Sequence, residues 1–587
     1  MNIHAADILL KIKAFGFSDQ RQLASDTGFS LGLVNRTLKN LIQEGYLTED
    51  LHPTGMADAL LSAHHPQRAI ILAAGYGMRM VPVNNTPKAL LRVKGERLID
   101  RLIRQLHEVG VENITVVVGY MKEQFEYLID AFGVELVYNR DYAAMNNLQS
   151  LSLARKRIEN CYVLPCDLWC RENPFRMDEL YSWYMVTEEA EKESSVRINR
   201  RRELVPIAPT DLGNHMVGIA YLTGRDCGLL QEAIAALLSK AEHTDAFWED
   251  ALFSDERIRV YGRVYPQEDV VEINTYEQLR DLDSGSDNLQ SDSMKAISQA
   301  LHIPPNEIQD ISVLKKGMTN RSFCFRAGEQ CYIMRIPGEG TNQLINRRQE
   351  ASVYEAIRGL GYCDDPVWID PETGYKITKY LPNVRVCDVH SEEDLNRCMH
   401  LLHRLHDRKL HVDHSFDLFE RIEFYESLRG AASSLYMDYP QTKANCFSLK
   451  EYIDQQDKDW CLSHIDAVCD NFLFYREEGC EKESLQLTDW EYAGMQDPHV
   501  DLAMFSIYSF YNKQQVDRLI DLYFHDACPP AVRVKIYCYV SLCGLLWSNW
   551  CEYKQQLGVE FGEYSIRQYR YAKEFYRYAA AGMEALG

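Results

Sequence analysis

Long apolar runs are missing from this chain of 587 residues. Stretches such as IAALL and SLCGLLWSNW fall well below the roughly 20 apolar residues that span a bilayer, so no membrane insertion is expected. The first residues lack the basic, apolar and small-residue order of a secretion leader, and the 17 cysteines are scattered without a CxxC pair. A reducing cytoplasm is the expected compartment. Basic charge is short as well: 63 Lys and Arg stand against 86 Asp and Glu, a formal net charge of −23. A surface that coats nucleic acid in general is disfavoured, while local basic pockets around phosphates remain possible. No short period repeats along the chain. What is present is 46% hydrophobic, 25% charged and 11% aromatic residues, the composition of a globular protein with sizeable cores. At about 150 residues per domain, three or four folding units fit.

Residues 1–63 read as short helices, then a longer one, SLGLVNRTLKNLIQEG, then a brief extended piece, YLTED. Leu31, Val34, Leu38 and Leu41 recur at three and four, which predicts one buried face, with Asn35, Arg36 and Lys39 pointing elsewhere. The segment resembles the winged helix-turn-helix domains of transcription regulators, whose corresponding helix enters a DNA major groove. Five Lys/Arg against seven Asp/Glu in residues 1–60 suit phosphate contact poorly, so DNA binding would be weak or dimer-dependent. A packing or regulatory role is the other reading, and the oligomeric state stays open.

At RAIILAAGYGMRM an apolar strand runs into a glycine turn; a helix, a strand at ITVVVGY, a helix and a strand at VELVYN follow. This alternation predicts an α/β unit over 68–282 with a mixed, mostly parallel sheet covered on both faces. Gly75 and Gly77 remove side-chain bulk just past a strand, while Arg79 and Lys88 supply mobile positive charge. The turn follows neither the dinucleotide nor the P-loop order, and spacing alone leaves nucleotide binding and plain architecture both open. Asp167 follows the apolar run CYVLP, so it should sit at a strand end and offer oxygen to Mg2+. Tyr138, Tyr142, Asn146 and Asn147 are candidates for the acceptor or nucleotide side, and Trp169 and Trp248 for ring faces toward a quaternary ammonium.

LAAGYGMRM with PKALL, YNRDYAAMNNLQSL, VLPCDLW and VEINTYEQL together resemble the Rossmann-like sugar-phosphate-type nucleotidyltransferases, particularly the cytidylyltransferases that activate phosphocholine in bacterial choline pathways. The resemblance implies CTP at Ala74, Gly75, Gly77, Arg79 and Lys88, catalytic roles for Lys88 and Asp167, and a substrate contact at Asn147. It also implies Mg2+ on Asp167 and on a second acidic residue, whose place Asn274 takes here; Asn keeps a carbonyl oxygen but loses the charge. Glu272 then either compensates or faces the cationic head of phosphocholine.

The polar tract DLDSGSDNLQSDSM reads as a flexible junction, giving a linker over 283–297 and a last unit over 298–587. In that unit, strand alternation with a Gly-Glu hairpin turn precedes a helix containing Glu350, and a helical, aromatic portion follows. Such a two-lobed arrangement leaves a cleft for a nucleotide and a second substrate. CLSHIDAVCDNFLF and LTDWEYAG supply His-x-Asp-x4-Asn and then Asp: Asp466 to take the hydroxyl proton, Asn471 and Asp489 to hold Mg2+ on ATP. Residues 311–578 resemble choline kinase and the aminoglycoside phosphotransferases, of bilobal protein-kinase-like fold. The resemblance implies phosphate contact by GMTNRSFCF, a nucleotide-site cation at Arg335 paired with Glu350, a structural Asp501, and a choline cage from Trp547, Trp550 and Tyr564, with Tyr569 close by.

The expected activity is therefore twofold: choline and ATP give phosphocholine, and phosphocholine and CTP give CDP-choline and diphosphate, with Mg2+ as cofactor. The same chemistry on ethanolamine, cytidylyl transfer to 2-aminoethylphosphonate, and a DNA-binding regulator that uses these domains as ligand sensors are the alternatives.

Overall fold

In the computed structural model the chain divides into two units, Met1–Met294 and Lys295–Gly587. The structure describes residues 1–587 apart from 76–85, 193, 209, 241–244, 254–257, 290, 315–319, 339–340, 342–343, 431–432, 478, 481, 557–558 and 560.

The first unit opens with helices Ile3–Phe15, Gln20–Thr27 and Leu31–Gln43, started by side-chain caps from Asn2, Asp19 and Ser30. Gly28, at φ +68°, turns the chain between the second and third helices. Val34, Leu38 and Leu41 pack against Ile8, Leu9 and Ile12, as the spacing predicts. Leu31 departs from that face and is 42% exposed. It is the first helical residue and sits on the outer rim beside Gln20, Arg21 and Gln22. The extended piece after the third helix is reduced to a single antiparallel bridge, Leu47 to Pro53, before the helix Gly55–Ala63. Asp7 fastens these helices to the remainder of the first unit, accepting from the Tyr181 hydroxyl and from Arg202, each at 2.6 Å.

Seven strands then form one sheet: β1 (Arg68–Ala73), β2 (Asn113–Val118), β3 (Glu135–Tyr138), β4 (Cys161–Pro165), β5 (Trp183–Glu191), β6 (Gly213–Leu222) and β7 (Tyr261–Tyr265). Their order is β7-β5-β6-β4-β1-β2-β3, and only β6 runs against its neighbours. β1 reads as an unbroken apolar run because both of its faces are covered: Ala69, Ile71 and Ala73 enter one core, Ile70 and Leu72 the other. Its carboxyl end lies between those of β2 and β4, where ligands of such sheets bind.

The 283–297 tract is not a loose connection. Asp283 and Asn288 accept from the backbone N–H groups of Lys94 and Arg92, and the Ser286 hydroxyl donates to Arg92 O at 2.6 Å. A helix, Asp292–Leu301, takes up its second half. The Ser, Asp and Asn content that reads as flexibility supplies acceptors and a donor that pin the tract to the 92–94 turn.

The second unit begins with an antiparallel sheet of β8 (Ile308–Val313), β9 (Asn320–Ala327), β10 (Gln330–Pro337), β11 (Trp368–Ile369) and β12 (Lys376–Lys379), ordered β8-β9-β10-β12-β11. The Gly-Glu turn joins β9 to β10, with Ala327 opposite Gln330 and Gly328 at φ +62°. The remainder is mainly helical around one large core. Its two longest helices, Pro530–Gln556 and Glu563–Leu586, approach closely at Gly544, where a Cβ would meet Gln568 O at 2.7 Å.

Candidate active sites

In the first unit, β4 delivers Asp167 just past its carboxyl end. The short strands Leu168–Cys170 and Val270–Glu272 pair antiparallel, with Glu272 opposite Leu168, and so carry Asn274 back to Asp167. Lys88 starts a turn whose next residues, Ala89 and Leu90, are buried. Its ammonium donates to Asp167 Oδ2 at 3.1 Å and to Asn274 Oδ1 at 2.5 Å. The Lys88 and Asp167 side chains are only 16% and 14% exposed, so their attraction exceeds that of a surface ion pair. Burial, reinforced by Asp167, raises the Glu272 carboxyl above the ordinary glutamate range.

Ala74 is buried and its carbonyl accepts from Tyr120 N–H at 3.2 Å. Among the described residues an added Cβ at Gly75 would meet nothing within 4 Å. Gly77 and Arg79 lie outside the described residues. Asn147 is engaged internally: its Oδ1 accepts from Trp248 N–H at 2.8 Å and holds the Trp248–Phe253 turn. Neither tryptophan offers a free ring face. Trp248 is buried against Tyr184, and Trp169 is covered by Lys94 at 4.3 Å and Arg101 at 5.3 Å. The chain fills these faces with its own side chains, which spacing cannot reveal. Sequence reasoning passed over Glu249, whose carboxyl accepts from the Tyr184 hydroxyl at 3.1 Å and is pushed up to about 7 by burial. Its signal was a carboxylate set directly among Trp248, Ala251 and Leu252, all buried.

In the second unit Arg335, Asp466, Asn471, Asp489, Trp547, Trp550 and Tyr564 all border one cavity of about 860 Å3. Asp466 is held by its loop: His464 N–H and Ile465 N–H donate to the Asp501 carboxylate at 2.9 and 2.7 Å, and His406 meets it at 2.9 Å. Asn471 Nδ2 donates to Asp466 O at 2.8 Å. Burial, with the charges of Asp489 and Glu491 adding to it, pushes the Asp466 carboxyl up to about 8. Asp489 adopts a left-handed φ of +68°, and its carboxyl too is raised by burial, against the opposing pull of Lys376 and Arg335.

Arg335 donates to Glu350 and, at 2.9 Å, to Gly374 O, and its Nη1 lies 3.8 Å from Asp489 Oδ1. Glu350 does not border the cavity itself; it holds Arg335, which does, and also accepts from Arg347 at 2.9 Å. Glu491, also missed from sequence, joins this network by accepting from Asn320 at 2.9 Å and from Arg347 at 3.4 Å. Trp547 and Trp550 meet edge to face at 5.3 Å and are only 6% and 3% exposed. They are core residues and cavity wall at once. Tyr569 instead stacks on Tyr436 at 3.8 Å and does not border the cavity. Gly317, Met318 and Thr319 of the expected phosphate loop lie outside the described residues.

The donor sets suit Mg2+, which prefers oxygen. Asp167 and Asn274 already converge on one cation, the Lys88 ammonium, and Asp489 Oδ1 is buried without a hydrogen-bond partner among the described residues. Among the described residues no three His, Cys, Asp or Glu side chains group to hold a metal; Mg2+ is commonly held by one or two carboxylates together with water and substrate phosphates.

Residues 69–175 match the family model of the MobA-like NTP transferase domain, and residues 311–518 that of choline/ethanolamine kinase. Choline-phosphate cytidylyltransferase of Streptococcus pneumoniae is 32% identical over 221 residues, 37% of this chain and 96% of that protein. Protein LicA of Haemophilus influenzae is 26% identical over 265 residues, covering 43% of this chain and 76% of its own length. The crystal structure of choline kinase LicA from Streptococcus pneumoniae is 28% identical, covers 48% of this chain and 97% of its own, and aligns with a TM-score of 0.42. The chain belongs to the MobA-like NTP transferases through its first unit and carries a choline/ethanolamine kinase domain in its second, so it is a nucleotidyltransferase and a kinase in one polypeptide.

Proposed function

We propose that the second unit phosphorylates choline with ATP and that the first converts phosphocholine and CTP into CDP-choline and diphosphate. The observation that carries the reading is the shared cavity in the second unit, lined both by the carboxylates Asp466 and Asp489 and by the tryptophans Trp547 and Trp550. An aromatic wall suits a trimethylammonium group, which has no N–H to donate, better than the ammonium of ethanolamine. The choline hydroxyl attacks the γ-phosphorus of ATP, its proton passing to Asp466 as the O–P bond to ADP breaks. Asp501 keeps Asp466 in place by fixing the backbone of the two residues before it.

In the first unit a phosphocholine oxygen attacks the α-phosphorus of CTP and diphosphate leaves. Lys88 offsets the repulsion between the two anions. Asn147 supports this site by holding the Trp248–Phe253 turn, and Glu272 stands near enough to Asp167 for the aspartate to help raise its carboxyl. Asp167 with Asn274, and Asn471 with Asp489, would hold Mg2+, which supplies charge neutralisation on the phosphates. The Leu31–Gln43 helix keeps Arg36 and Lys39 exposed, which supports weak DNA contact by a winged-helix module. No helix among the described residues is long and apolar enough to cross a membrane.

The test supplies the purified chain with choline, ATP, CTP and Mg2+ and resolves phosphocholine, CDP-choline and diphosphate over time. Omitting ATP while adding phosphocholine isolates the first unit. No product from either substrate set would sink the proposal.

A further inference from the structure

A second buried cation borders the kinase-unit cavity. Lys376 on β12 is the direct register partner of Arg335 on β10, so both side chains leave the same face of the sheet. The next pair on that face, Ile333 and Thr378 two residues along, borders the same cavity, which confirms that this face lines it. Like charges directly opposite one another destabilise a sheet, and a buried cation is costly unless paired. Here each has its own carboxylate: Glu350 for Arg335, and Asp364, at 3.0 Å, for Lys376. The Tyr354 hydroxyl is the other partner of Lys376. An ammonium has three N–H donors, so one stays uncommitted among the described residues.

A purely structural wall would be served as well by apolar side chains of similar size. This one keeps Arg335 3.8 Å from both Asp489 and Glu491, with the second cation, Lys376, directly opposite it in the sheet. We propose that Lys376 is a phosphate-positioning residue: with Arg335 it forms a two-cation wall that receives the triphosphate of the nucleotide. The arrangement divides the work. Arg335 is committed to Glu350 and Gly374 O, whereas the compact ammonium of Lys376 keeps a donor for a phosphate oxygen.

The inference rests on the kinase reading, and the test separates the two. ATP–Mg2+ binding to the full chain is measured by calorimetry, and choline turnover separately, for wild type, Asp364→Asn, and the double variant Lys376→Met with Asp364→Asn. The double variant removes both charges and leaves no buried carboxylate unpaired, so the second unit should stay folded, with cytidylyl transfer by the first unit as an internal control. The expected result is ATP binding weakened tenfold or more in the double variant and changed less than threefold in Asp364→Asn. Equal binding by the double variant and wild type overturns the inference while leaving the kinase reading intact, as does an equal loss in Asp364→Asn alone. Lys376-dependent ATP binding without choline turnover in the wild type upholds the inference and overturns the kinase reading.

Discussion

Lys88 donates to Asp167 at 3.1 Å although 79 residues separate them in the chain, Lys88 following the glycine-rich segment and Asp167 lying just past the carboxyl end of β4. The contact puts a cation and a carboxylate at the carboxyl edge of the sheet, where the attacking phosphate and the leaving diphosphate must both be held. Replacing Lys88 with Met should lower cytidylyl transfer by about a hundredfold or more, the scale of losing one positioned electrostatic partner. Choline phosphorylation should be unchanged. Loss of both activities together would point to misfolding, and near-normal diphosphate release would remove Lys88 from the mechanism.

Asn274 makes a sharper case. It occupies the place of an expected second acid and contributes a neutral oxygen to the Lys88 ammonium. Asn274→Asp adds a charge without lengthening the side chain, so half-maximal cytidylyl transfer should need several-fold less Mg2+. An unchanged Mg2+ dependence would show that Asn274 serves Lys88 alone.

Chemistry-bearing residues were legible in the sequence where the backbone dictates their position. Asp167 had to lie at a strand end, and Asp466 and Asn471 come from one short motif, while Asp489 reaches the same cavity from beyond the paired strands Phe472–Tyr475 and Ser484–Leu487. Pattern alone did not reveal which side chains the fold would use up. Trp169 and Asn147 are spent on Lys94, Arg101 and the backbone of Trp248, partners that only tertiary packing supplies. Glu249, Glu491 and Lys376 were missed for the opposite reason: each is a buried charge whose partners come from distant segments. The 283–297 tract shows that polar composition has two outcomes, solvation or side-chain bonding to a neighbouring turn, and the 92–94 turn decides between them.

The tryptophan wall predicts substrate selectivity. Trp550→Leu keeps an apolar filler but removes the ring, and a cation–π contact contributes about 0.5–2 kcal/mol. The KM for choline should rise roughly twofold to thirtyfold, with less effect on the KM for ATP. Equal effects on choline and ethanolamine would mean that the ring acts only by packing.

Asp466 links catalysis to pH. Burial and its acidic neighbours push its carboxyl up to about 8, above the usual aspartate value of 3.8. The folded state therefore holds the proton more tightly than the unfolded chain does. The stability that this confers is complete below the unfolded value and is lost as pH rises through about 8. Without nucleotide and metal, wild type should lose melting temperature between pH 6 and pH 9, and Asp466→Asn, which carries no titrating proton there, should lose less. Turnover runs the other way, because only the carboxylate can take the choline proton. The kinase rate should climb with pH, and bound Mg2+, by favouring the carboxylate, should bring the midpoint below 8 and move it lower as Mg2+ is raised. Asp466→Asn should be inactive across the range. A flat wild-type profile, or a midpoint indifferent to Mg2+, would show that Asp466 is not the group that accepts the proton.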